Sequence, residues 1–251
     1  MSTPASSAAF PDQVPALSQT ERVIDTFVAP SKTFTDIRRN SSWWLPWLLS
    51  AIFGLALVYV IDHKIGMDKV TENQIQLSPK QAAKLEQLPP DQREKQLDIS
   101  TKITRMVAYG SPILSLVIVG IMAAVLLATF KFGLGADLTF WQAFAISMYA
   151  WLPGIIKALL VMLTIFIGGG ENFTFQNQLA SNLGFLFDPG SSPFLYSVAT
   201  SIDAFNIWIL VLTGIGYSCV TRLKRGTCMG VVFGWWAVVT LVSSGIGSLF
   251  S

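Results

Sequence analysis

Three polar residues within or beside long apolar runs could carry chemistry: Lys157, Asp203 and Asn206. An ammonium inside a bilayer costs about 2.5–3.5 kcal/mol on insertion scales, so it faces a bundle or a cavity and takes a partner. Lys157 precedes Ile167, where its apolar run ends, by ten residues, roughly 15 Å along a helix. Asp203 and Asn206 are three residues apart at the start of the next apolar run and are expected on one helix face. A Lys157–Asp203 ion pair is therefore expected. It would glue two helices or form a site for a solute or a lipid headgroup, unless the lysine simply snorkels to the surface. Other chemistry finds no support. Cys219 and Cys228 are too few for a disulfide framework or a four-ligand zinc site, and the single histidine, His63, leaves no metal triad. No Walker loop, His-Glu-x-x-His, Gly-x-Ser-x-Gly or Cys-x-x-Cys occurs. Gly168-Gly169-Gly170 lacks the Lys-Ser/Thr of a phosphate loop and is expected as an exit turn. The chain is expected to be no enzyme, with no cofactor and no metal.

The elements that must position these groups follow from composition. Of 251 residues, 52% are apolar and 13% charged, against about 25% charged in a soluble domain; mean hydropathy is +0.53. A net charge of +2 argues against nucleic-acid binding. Apolar runs of bilayer-spanning length place spans at about 43–61, 106–130, 140–167 (interrupted by Lys157), 200–221 (uncharged from Ala204) and 230–250. The expected fold class is an all-α integral membrane protein. It is a bundle of five transmembrane helices with an N-terminal interfacial helix and a charged extramembrane helical insert between spans one and two. Pro153 should kink span three.

Residues 1–20, rich in Ser, Ala, Pro and Thr, read as a disordered tail, and 21–250 as one five-span domain. Within 21–39, Phe34 and Ile37 share a face, with Lys32, Asp36, Arg38 and Arg39 elsewhere, which with Trp43 and Trp44 suggests an interfacial helix starting at Pro30-Ser31. The insert, 62–105, carries 8 basic and 7 acidic residues. It is expected as solvated helices, with a capping box at Ser78-Pro79-Lys80-Gln81 and a break at Pro89-Pro90. Residues 168–203 hold no basic residue but many apolar ones. They suggest a hydrophobic lid, with Leu179, Leu183 and Leu186 on one helix face. Gly230-x-x-x-Gly234 and Ser243-x-x-x-Gly247 permit close helix approach, within the bundle before between protomers. Arg38, Arg39, Arg222, Lys224 and Arg225 flank spans closely, so the N-terminus is expected inside and the C-terminus outside.

In order and spacing the chain resembles the bacterial branch of the Yip (Ypt/Rab-interacting protein) domain family. The resemblance begins at Phe27-Val28-Ala29-Pro30-Ser31-Lys32-Thr33-Phe34, Trp43 and Leu45-Pro46, and continues at Ala150-Trp151-Leu152-Pro153. It is most specific at Ala180-Ser181-Asn182-Leu183-Gly184 and Ile202-Asp203-Ala204-Phe205-Asn206-Ile207-Trp208, and closes with Leu212-Thr213-Gly214-Ile215-Gly216. It implies five spans, a cytosolic N-terminus and no known enzymatic activity. Eukaryotic relatives are similar to trafficking factors that associate with Rab GTPases, partners a bacterial setting lacks. The functional expectation is a non-enzymatic membrane organiser or assembly partner in a bacterial inner membrane. Its partners would be the lipid bilayer and membrane proteins or a second copy. The alternative is a small transporter, channel or lipid-handling protein using the Lys157 site.

Overall fold

The computed structural model describes residues 16–190 and 192–250, with side chains through Leu249. Most of the expected disordered tail, residues 1–15, lies outside the described residues. The chain does not wait until residue 21 to order. Ser18 caps helix α1 (Gln19–Val28) in a full capping box, its hydroxyl accepting from the Glu21 amide while the Glu21 carboxylate accepts from the Ser18 amide. Ala29 ends α1 and Pro30 opens α2 (Pro30–Ile37).

Phe34 and Ile37 do share a face, but they are wholly buried against the bundle rather than laid on a membrane interface. Gly216 makes this close packing possible: a methyl there would lie 2.5 Å from Ile146 Cγ2 and 3.0 Å from Phe34 Cδ1. Exposed apolar groups fall instead on α1, at Ile24 and Val28 one turn apart. Asp36, placed off the Phe34–Ile37 face, is buried with Arg22. The guanidinium Nη2 lies 2.6 Å from Asp36 Oδ2, Nε donates to the same oxygen at 2.8 Å, and Nη1 donates to the Asn40 carbonyl at 2.8 Å.

Helix α3 (Trp44–Lys64) is the first span. The insert holds α4 (Met67–Gln76), α5 (Pro79–Glu86) and α6 (Pro90–Tyr109). It is less solvated than its charge suggests, because Met67 and Val70 of α4 are fully buried in a cluster with Leu57, Val58 and Ile61 of α3. The Ser78–Gln81 stretch starts α5 at Pro79 without a side-chain cap bond. Asp62 ties α6 to α3, accepting from Arg105 at 2.9 Å and from the Tyr109 hydroxyl at 3.2 Å. That carboxylate's hydrogen bond holds the Arg105 guanidinium above its usual range; desolvation, then the Asp62 charge, pushes the Tyr109 phenol up.

Span two begins later than the apolar run. Met106 to Tyr109 close α6, the chain turns at Gly110, and α7 (Ser111–Ala128) follows with Pro112 in its first turn, continued by a π-helical turn at Thr129–Gly133. Span three is two helices, α8 (Phe140–Ala150) and α9 (Pro153–Phe166), divided where Pro153 was expected to kink it. Span four is α11 (Ala204–Thr221). The segment from Pro193 forms its own helix, α10 (Pro193–Ser201), because Asp203 starts a new one. Span five is α12 (Arg225–Phe250), five residues longer at its start than the uncharged run.

On α12 the packing face differs from the one expected. Cys228, Val232, Thr240 and Ser244 are buried at multiples of four residues, one helical stripe. Gly230 and Gly234 are offset from it by two residues, about 200° around the helix. They are exposed, as are Ser243 and Gly247, and a methyl on Gly230, Gly234 or Gly247 would meet nothing within 4 Å. Close intramolecular contact falls at Gly216 instead, and Ser244 donates to the Ser197 hydroxyl of α10 at 2.9 Å.

Candidate functional site

Asp203 organises the site. It does not lie on the face of α11 but caps it, Oδ1 accepting from the amides of Phe205 at 2.9 Å and Asn206 at 3.2 Å. The same carboxylate's Oδ2 accepts a short hydrogen bond from the Ser181 hydroxyl and lies 3.3 Å from Lys157 Nζ. Asp203 is 1% exposed and Lys157 22%. A carboxylate can be buried here because four donors and the positive end of α11 neutralise it.

The loop is brought to Asp203 by a single antiparallel bridge between Asn182 and Asp203. The amide of Ala204 donates to the Ser181 carbonyl at 3.0 Å and that of Leu183 to the Ile202 carbonyl at 3.3 Å. Asn182 folds the loop on itself, its Nδ2 donating to Asn177 Oδ1 and the Leu179 carbonyl while its Oδ1 accepts from the Gly184 amide. Gly184 must be small: a methyl would sit 2.5 Å from Thr200 Cγ2 and 2.7 Å from Asn182 Oδ1. The expected helical face over Leu179, Leu183 and Leu186 therefore shrinks to one 3-10 turn, Leu183–Leu186. The segment is nonetheless docked. Phe173 is buried, and Asn73 of the insert donates to the Glu171 and Phe173 carbonyls at 2.9 and 3.1 Å.

Lys157 is the less satisfied partner. Its ammonium has three donors and, among the described residues, makes one hydrogen bond, to Asp203. Its remaining side borders a cavity of about 490 Å³ between α3, α7, α9, α11 and α12, within the size range of about 300–1,000 Å³ of small-molecule sites. Gln178 and Asn206 also line it, although the Asn206 side chain donates to the Ser201 carbonyl at 3.2 Å. Most of the other lining residues are apolar, with Leu126, Ile209 and Trp236 among them. The hydroxyls of Ser147 and Thr213 also line it, but each is bound to a carbonyl of its own helix, Ala143 at 3.1 Å and Ile209 at 2.7 Å. Near the far end of α7, Trp235 donates to Thr129 at 2.9 Å and fixes α12 against it.

The three sequence-derived residues thus gather at one place, with changed roles: Asp203 caps and anchors, Lys157 faces the cavity, and Asn206 closes the α10–α11 corner. Ser181 was missed, as was Gln178. Their only sequence signal is that Ser181 lies in one of the two stretches carrying the most specific resemblance, which the fold joins at this bridge. His63 and the cysteines lie apart. His63 is exposed and stacked on Tyr59, and Cys228 is buried 3.9 Å from the Thr221 hydroxyl.

Five helical segments among the described residues are long and apolar enough to cross a bilayer, which makes this a polytopic integral membrane protein in contact with lipid. The family model of the Yip1 domain matches residues 24–246, and the chain belongs to that family. No curated protein and no solved structure gives a significant match.

Proposed function

We propose that the protein is a non-enzymatic, lipid-handling membrane protein that holds an amphiphile between its helices. One observation carries this reading: the cavity of about 490 Å³ holds one charged side chain among its described lining residues, that of Lys157, and is otherwise lined mostly by apolar residues. A small polar solute would leave most of that wall unused. An amphiphile matches both parts. A membrane organiser needs only a closed ion pair, whereas the open side of Lys157 supports lipid handling. Catalysis finds no support among the described residues lining the cavity, where the Ser147 and Thr213 hydroxyls are both engaged by backbone carbonyls.

The test is gentle purification followed by mass spectrometry of retained lipids, comparing wild type with Gly154→Leu. Gly154 lines the cavity, and a methyl there meets nothing within 4 Å, so a larger side chain fills space without a clash. Wild type is expected to carry about one lipid per chain and Gly154→Leu markedly less at an unchanged melting temperature. Lipid-free wild type, or equal retention by the variant, would sink the reading.

The proposed setting is a bacterial inner membrane with the N-terminus cytoplasmic, supported by the arginines flanking α3 and α11. With Cys219 and Cys228 replaced, a cysteine at position 84 should label from outside and one at 224 only from inside. The reverse pattern would invert the orientation.

A further inference from the structure

A second cavity of about 250 Å³ lies on the α3–α7 side of the first and shares Gly54, Val119, Trp151, Gly154 and Ala158 with it. Resting on the lipid-handling reading, we infer that the site takes a two-chain lipid with an anionic headgroup, the headgroup on Lys157 and one chain in each cavity. Gly154 and Ala158 of α9, which border both cavities, are three residues before and one after Lys157. The two apolar arms therefore meet at the turn of helix that carries the ammonium. At the junction, Gly54 and Gly154 leave open space where any side chain would stand.

Charge selects the headgroup. Among the described residues, Lys157 is the one charged residue lining either cavity, and no acidic side chain is in either lining. Asp203 takes one hydrogen of the ammonium and is also held by Ser181 and two backbone amides. An anionic oxygen can accept the ammonium's remaining hydrogens without stripping Asp203 of its other partners. A headgroup bearing its own ammonium would set like charges together beside Lys157. Gln178 adds an amide to the lining of the first cavity.

The experiment measures competition in detergent, with the purified full chain and three probes: dioleoyl phosphatidylglycerol, dioleoyl phosphatidylcholine and mono-oleoyl lysophosphatidylglycerol. Wild type is expected to prefer the diacyl anionic lipid over the zwitterionic one by about tenfold or more, as one charged hydrogen bond allows. It is also expected to prefer it over the single-chain lipid. Lys157→Gln should reduce the headgroup preference to within about twofold, Lys157→Arg should keep it, and Lys102→Gln, at an exposed pair on α6, should leave it unchanged. Gly154→Leu should erase the two-chain advantage. Equal binding of both headgroups, a preference surviving Lys157→Gln, or equal affinity for one and two chains would overturn the inference while leaving an amphiphile site standing. Should Lys157→Gln fail to fold, the wild-type ratios and Gly154→Leu still decide. Absence of binding by all three lipids would remove both this inference and the reading beneath it.

Discussion

Replacing Arg22 with methionine is expected to destabilise the bundle by about 3–5 kcal/mol, the usual cost of leaving one member of a buried ion pair unmatched. Arg22 is 1% exposed and Asp36 2%. The guanidinium does more than pair with Asp36, since it also satisfies the Asn40 carbonyl and so fixes α1, α2 and the turn into α3 together. The Arg22 carbonyl in turn accepts from the hydroxyls of Thr26 and Thr33 at 2.7 and 2.8 Å. Tyr149 of α8 donates to Gln19 at 2.9 Å, and Phe27 meets Trp208 of α11 edge to face, so loosening the hairpin uncovers two spans. Arg39 also approaches Asp36, at 2.9 Å from Oδ1, but is 49% exposed. Arg39→Gln is expected to cost less than about 1 kcal/mol. Replacing Arg22 by Met and Asp36 by Leu together should recover much of the loss, because both desolvation costs disappear. Unfolding by graded addition of sodium dodecyl sulfate to mild-detergent micelles measures wild type and the three variants. An Arg22→Met protein within about 1 kcal/mol of wild type would show that the pair is not what closes the hairpin.

Why the sequence revealed Lys157–Asp203 but not Arg22–Asp36 has a physical reason. A charge within an uncharged run is conspicuous, since the bilayer forces it to find a partner. Arg22 and Asp36 are 14 residues apart among other charges, where solvation is the ordinary outcome and no periodicity marks a pair. Spans were legible because bilayer thickness sets their length, and the break before Pro153 because a proline cannot donate. The α12 face was illegible for the opposite reason. In a helix apolar on every side, small-xxx-small spacing shows that close approach is possible but has no polar contrast to say which stripe is inside. The cavity left no sequence trace beyond Gly54 and Gly154, because missing volume is a property of how helices cross. Ser181 reaches Asp203 only through the loop's bridge, which no local spacing rule encodes.

Asp203→Ala should be the more damaging half of the Lys157–Asp203 pair, at about 3 kcal/mol or more. It removes an N-cap, worth about 0.5–2 kcal/mol, and leaves the Ser181 hydroxyl and the Lys157 ammonium without their acceptor, about 1–3 kcal/mol for a buried polar group left unmatched. Lys157→Met should cost only about 1 kcal/mol, because Asp203 keeps three donors. Asp203→Asn separates the contributions: asparagine caps as well as aspartate, so its loss reports the charge and the Oδ2 contacts. In the double variant Asp203→Ala with Lys157→Met, the loss should fall short of the sum of the singles by about 0.5–3 kcal/mol, since no ammonium then remains to be satisfied. The detergent titration used for Arg22 reads the cycle. Strict additivity would mean that Lys157 takes its solvation from the cavity rather than from Asp203. That outcome would leave the ammonium uncommitted toward a headgroup, and Asp203 a helix cap alone.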